Sequence, residues 1–146
     1  MVNKYFTIGF AKKGAETFFK LLKNAGVKKV VDVRLNNVSQ LAGFTKKNDL
    51  KYFLKEILSA EYEHCPDFAP TKDILDGYKN KKIAWNDYER EYLKLLEKRG
   101  VSEKYNPSDF NNACFLCSES IPDQCHRRLL VNYLKRKWND IEIIHL

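Results

Sequence analysis

Three signatures of well-known chemistries are missing from this chain. Neither G-x-G-x-x-G nor G-x4-G-K-[ST] occurs, so no glycine-rich turn is available to cradle a dinucleotide or the phosphates of a P-loop nucleotidase. There is no G-x-S-x-G elbow, which removes the hydrolases that present a serine on that turn. Long apolar runs are also absent: no segment approaches the length that spans a bilayer. Met1 to Phe10 has no extended apolar stretch behind a basic start, so no signal peptide is expected. Internal repeats, linkers and low-complexity tracts are lacking too. The expectation is a soluble, cytoplasmic protein without a membrane partner.

What is present describes a folded globule. The 146 residues fit one domain, 1–146, with a single substantial core. A hydrophobic fraction of 44% and 13% aromatics argue against disorder. Four cysteines in such a chain read as reduced thiols rather than a disulfide framework. The formal charge of +7 and a pI near 9.2 favour anionic partners such as nucleotides, phosphorylated metabolites or nucleic acid. The lysines are spread along the chain, however, as they are on an ordinary basic surface.

Periodicity gives the order of elements. Tyr5 to Phe10 reads as a buried strand; Ala15, Phe18, Phe19, Leu22 and Ala25 recur at helical spacing, and Gly26 stops that helix. Val30 to Val33 is a β-branched run typical of a central parallel strand. Thr45 is expected to cap a second helix carrying Leu50, Phe53, Leu54, Ile57 and Leu58. Tyr62 to Cys65 follows as a strand stopped by Pro66, and Thr71 caps a small helix. A further helix covers Trp85 to Lys98 and ends at Gly100. Ser102 to Asn112 reads as loop, Ala113 to Cys117 as a buried strand, Gln124 to Trp138 as the last helix and Ile141 to His145 as the closing strand. The fold class is α/β: a three-layer α/β/α domain with a mostly parallel, Rossmann-like sheet. In such a sheet the carboxyl ends of the strands share one edge, so Asp32 and Arg34, Glu63 and His64, and Cys117 and Glu119 converge there.

The densest chemistry lies in Cys114-Phe115-Leu116-Cys117-Ser118-Glu119 and, after a short loop, Cys125-His126-Arg127-Arg128. Cys125, in the first turn of the last helix, has backbone N–H groups and cationic neighbours to stabilise a thiolate. The alternative is a small buried packing residue. His126 lies on the inward face, where a ring nitrogen bonded to a loop carbonyl, fixing the Ser118-to-Gln124 turn, fits best; acid/base work is second. Arg127 and Arg128 oppose the helix dipole, a placement best explained by a nearby carboxylate or phosphate. Asp32 ends an apolar strand and can act as a base, orient a ribose hydroxyl or pair with Arg34 or Arg127; Glu119 has the same choices. Trp85, Tyr88, Tyr62 and Phe68 can line a pocket or stack on a base, or fill the core, the better reading for Tyr88.

Cys114, Cys117, Cys125 and His126 also make a nominal zinc set. Three apart in a strand, however, Cys114 and Cys117 point to opposite faces, and the other two ligands are awkward sequence neighbours. No metal or cofactor is expected.

Taken together, Phe6-Thr7-Ile8-Gly9-Phe10, Asp32-Val33-Arg34 with Ser39 downstream, and the Cys117-x-Glu119 and Cys125-His126-Arg127 block resemble domain of unknown function 488. Ser39 to Phe44 and Ala69-Pro70-Thr71-Lys72 are similar to one branch of that family. The resemblance spans nearly the whole chain. It implies a compact α/β domain with a shared polar edge carrying these motifs, and no established reaction. It adds Ser39 and Lys72 to the anion-binding candidates. One departure is Asn36-Asn37-Val38, where family members often carry proline; another is Cys114, where an aliphatic residue is expected.

The resulting expectation is a pocket at the carboxyl edge that binds, hydrolyses or transfers a phosphorylated or nucleotide-like small molecule. Asp32, Glu119, Cys117, Cys125 and His126 are its catalytic candidates, with Arg34, Ser39, Lys72, Arg127 and Arg128 as its anion contacts. Two rivals remain: a nucleic-acid module using the basic final helix with Lys135, Arg136 and Lys137, and thiol redox chemistry between Cys117 and Cys125. Oligomeric state is not legible.

Overall fold

A computed structural model describes residues 2–36, 43–118 and 125–146. Its centre is a five-stranded sheet of β1 (Asn3–Gly9), β2 (Lys29–Asp32), β3 (Glu61–His64), β4 (Ala113–Cys117) and β5 (Ile141–His145), in the spatial order β3-β2-β4-β1-β5. All four pairings are parallel. The middle strand β4, Ala-Cys-Phe-Leu-Cys, is buried along its whole length, as a parallel strand covered on both faces requires. The edge strand β3 carries Glu61, Tyr62, Glu63 and His64, none fully buried, and its charges blunt an otherwise open ladder.

Local chemistry sets the helices. Helix α1 (Ala15–Ala25) buries Phe18, Phe19 and Leu22 and stops where Gly26 turns left-handed at φ 74°. Helix α2 (Lys47–Leu58) buries Leu50 and Leu54, while Ile57 is left exposed. Its cap differs from the expectation: Lys46 occupies the N-cap, and Thr45 ends a one-turn 3-10 helix from Gly43. Thr45 is buried there, because its carbonyl is engaged by Arg34. Helix α3 (Lys72–Lys79) is capped as expected, with Thr71 Oγ1 accepting from the Ile74 N–H at 3.3 Å. Helix α4 (Trp85–Arg99) ends at Gly100, φ 63°. The segment read as loop contains a short helix α5 (Val101–Lys104) and a 3-10 turn, Pro107–Phe110. Helix α6 (His126–Trp138) has Cys125 as its N-cap rather than inside its first turn.

Alternate strand residues feed two cores. Phe6, Ile8, Val30, Cys114 and Leu116 pack with α1 and α2 on one face. Tyr5, Val31, Phe115 and Ile141 pack with α4 and α6 on the other. The result is the expected three-layer α/β arrangement, with Cys114 and Cys117 on opposite faces. The helices after β1 and β2 cover one face and the helix after β4 covers the other. The chain therefore diverges where β2, β4 and β1 end, the point at which open parallel sheets form a crevice.

Candidate functional site at the carboxyl edge

A cleft of about 230 Å³ opens at that point. The strand ends contribute Phe10, Arg34 and Ser118, the start of α6 contributes Cys125 and His126, and α3 and α4 contribute Tyr78, Lys79, Trp85 and Tyr88. Backbone bonds fix the approach to it: the N–H of Phe10 donates to Cys117, that of Ala11 to Ser118 and that of Val33 to Leu116.

Asp32 and Arg34 form the deepest polar pair. Asp32 is wholly buried and Arg34 is 5% exposed. Asp32 Oδ1 accepts from the Arg34 N–H at 3.1 Å and from its Nε at 2.8 Å; Oδ2 accepts from Arg34 Nη2 at 2.8 Å and from the Tyr62 hydroxyl at 2.6 Å. Such a fork-to-fork contact fixes the guanidinium plane. Arg34 Nη2 also donates to the Thr45 carbonyl at 2.6 Å, the Arg34 carbonyl accepts from His64 Nε2 at 2.9 Å, and the guanidinium carbon stands 5.4 Å from the Phe10 ring centre. One donor is left over. Arg34 Nη1 is buried and has no hydrogen-bond partner among the described residues. A buried unsatisfied guanidinium donor costs enough to need an explanation.

His126 Nε2 donates to the Val33 carbonyl at 2.7 Å. The anchored carbonyl is that of the residue just after β2, so the ring ties the start of α6 to the loop leaving β2. Burial pushes the imidazole down to about 4, aided by the charge of Arg127 and opposed by the Val33 carbonyl and Asp32. The ring is neutral near pH 7, with Nδ1 as its acceptor nitrogen. It suits hydrogen-bond acceptance better than proton donation.

Arg127 takes a different position from Arg34. It is fully buried, donating from Nε to Thr7 Oγ1 and from Nη1 to Cys117 Sγ, each at 3.3 Å. It braces α6 against β1 and β4 and does not line the cleft. Arg128 and the exposed Lys72 are likewise not among the lining residues, whereas Lys79, at the other end of α3, is. Cys117 and Cys125 are paired, sulfur against sulfur, with Cα atoms 7.7 Å apart; Cys65 and Cys114 are free. The expectation of four reduced thiols thus meets a structure in which two have come together. Ser39 and Glu119 lie outside the described residues.

The opposite wall is aromatic. Trp85 stacks on Tyr88, with centroids 5.0 Å apart and planes 15° from parallel, and Tyr78 meets Trp85 edge-on at 5.4 Å. Of the aromatics singled out from the sequence, Trp85 and Tyr88 line the cleft. Tyr62 serves Asp32 instead, and Phe68 is core. Phe10, Tyr78 and Lys79 were missed. The adjacency of Phe10 to a strand end was a usable signal; nothing local marked the other two. Among the described residues no group of three or more His, Cys, Asp or Glu side chains could hold a metal ion, and no helix is long and apolar enough to cross a membrane.

Fold and site define an open parallel α/β protein with a cationic and aromatic cleft at its carboxyl edge. The chain belongs to the family described as domain of unknown function DUF488, whose model matches residues 14–134. Neither a curated protein nor a solved structure matches it.

Proposed function

We propose that the carboxyl-edge cleft binds a phosphorylated, nucleotide-like small molecule. The observation that carries this is Arg34, which lines the cleft, is held rigid by Asp32, and has a buried Nη1 donor without an acceptor among the described residues. A ligand oxyanion satisfies it with a charge-assisted bond. The N-terminus of the 13-residue helix α6 faces the same space through Cys125 and His126, and first-turn N–H groups favour an anion. Trp85 and Tyr78 offer flat surfaces to a base, and Lys79 adds a mobile cation.

Within this reading Asp32 is a positioning residue, since its oxygens are taken by Arg34 and Tyr62. His126 Nδ1 accepts from a ligand hydroxyl. Cys125 is the nucleophile nearest the ligand if a group is transferred, whereas Cys117 sits behind it at 1% exposure. The docking of a nucleic acid on α6 has less support. Lys135, Arg136 and Lys137 occupy its last turn, where the dipole favours cations, and Lys137 is already paired with Glu97 at 2.6 Å.

The test uses Trp85 fluorescence in a Trp138→Phe protein, which leaves a single indole. Nucleoside monophosphates are expected to quench it saturably at up to millimolar concentration. Lys79→Ala should weaken binding several-fold, and Arg34→Lys should weaken it more. The absence of saturable quenching with any nucleotide, together with tight salt-sensitive binding of an oligonucleotide, would overturn the proposal in favour of nucleic-acid docking.

A further inference from the structure

We infer that Cys117 and Cys125 form a peroxide-sensitive dithiol whose oxidation state changes the shape of the cleft. The inference rests on the sulfurs and on the elements that carry them; it does not depend on the ligand proposed above. Cys117 ends β4 and Cys125 caps α6, and their side chains meet. Each sulfur has its own support as a thiolate. Arg127 Nη1 donates to Cys117 Sγ at 3.3 Å, and Cys125 sits at the start of α6, where the helix dipole favours negative charge. Their accessibility differs. Cys125 lines the cleft, while Cys117 is 1% exposed and is not among the lining residues.

This asymmetry gives a direction to the chemistry. The Cys125 thiolate attacks one oxygen of hydrogen peroxide; the O–O bond breaks, Cys125 becomes a sulfenic acid, and the released hydroxide takes a proton to become water. The Cys117 thiolate then attacks the Cys125 sulfur. An S–S bond forms, the S–O bond breaks, and the hydroxide leaving Cys125 is protonated to a second water. Two thiols and one peroxide thus give one disulfide and two waters. A dithiol reductant reverses the change by thiol–disulfide exchange.

The consequence for the cleft follows from the backbone. The two Cα atoms are 7.7 Å apart, wider than the span of about 4.4–6.8 Å that bridged cysteines keep. A covalent bridge ties the end of β4 to the start of α6, and its reduction lets the two move apart. Because Cys125 and His126 line the cleft, that movement alters its floor. Cys65 and Cys114 take no part: both are buried, burial pushes both thiols up, and Cys114 faces the other core.

The experiment treats the whole reduced chain, freed of reductant, with about one equivalent of hydrogen peroxide. Remaining thiols are then capped with N-ethylmaleimide under denaturing conditions and weighed. The expected product has lost two hydrogens, carries two maleimides on its four cysteines, and yields a linked peptide joining Cys117 to Cys125; dithiothreitol restores all four. Cys125→Ser and Cys117→Ser should each abolish the linked product. The wild-type peptide map stands without them if either variant fails to fold. Four maleimides, a bridge to Cys65 or Cys114, or oxidation that stops at sulfinate on Cys125 would each overturn the inference. Coupling to the cleft is read from Trp85 emission in the Trp138→Phe protein, which should shift on bridging and return on reduction. A bridge that leaves the emission unchanged refutes the coupling.

Discussion

The two edges of the sheet satisfy their polar groups in opposite ways. At the amino edge the chain closes on itself through backbone: Lys28 N–H donates to Asn112, Asn112 N–H to Lys4, Glu61 N–H to Lys28 and Asn3 N–H to Asp140. The charged pair on edge strand β3, Lys29–Glu63 at 3.0 Å, is at the surface. In the carboxyl half the molecule buries its charge instead. Asp32, Arg34, Thr45, His126 and Arg127, with Thr7 joined to them through Arg127, are the buried polar side chains among the described residues. A fold needs only the first solution. Buried ions cost desolvation that well-packed apolar residues avoid, so their concentration at one edge sets that edge apart from the rest of the core.

If that contrast is right, equal chemical changes at a buried pair and at a surface pair should have unequal effects. The largest belongs to Asp32→Asn, which leaves the Arg34 guanidinium, 6% exposed, without its countercharge. Chemical denaturation should show a loss of about 3–5 kcal/mol, as for other broken buried pairs. A loss under about 1 kcal/mol would mean that the pair is far more solvated than its burial indicates.

Next comes pH. His126 titrates near 4 in the folded protein, below its ordinary 6.5. Between those values the unfolded chain binds the proton and the folded one does not, so acid favours unfolding. The contribution is fully favourable above pH 6.5, shrinks as pH falls and is spent below about 4, a change of roughly 3 kcal/mol. Unfolding curves from pH 7 to 4 should show this slope, and His126→Gln, which keeps a donor for Val33, should flatten it. An unchanged slope in that variant assigns the acid sensitivity elsewhere.

The smallest effect is on edge strand β3. Glu63→Gln removes the partner of Lys29 from a pair whose side chains are 22% and 45% exposed, and should cost no more than about 1 kcal/mol. A larger loss would erase the distinction between buried and surface charge.

Much of the fold was readable because its signals are local. The apolar run of β4, the glycines at 26 and 100 and the threonine at 71 each act within a turn of their own position. Thr45 misled for a non-local reason, because Arg34 takes its carbonyl into a buried 3-10 turn. The candidate site was legible at the strand ends, where a parallel sheet makes convergence obligatory. It was not legible on α3 and α4. Whether Lys72 or Lys79 faces the cleft depends on how α3 packs on α4, and the spacing within α3 alone carries no such information. The two arginines show the same limit. Sequence gave Arg34 and Arg127 one role as anion contacts, yet only Arg34 reaches the cleft, while Arg127 is taken up by Thr7 and Cys117.

The most direct test of the carboxyl edge as a ligand site is a titration of the ¹⁵N-labelled protein with a nucleoside monophosphate, followed by amide NMR. The account predicts saturable shifts confined to the end of β2 around Arg34 to Asn36, to Ser118, to the first turn of α6 and to Tyr78, Lys79 and Trp85 on the facing helices, with the amino edge unmoved. Shifts centred on Lys135 to Lys137, or none at all, would contradict it.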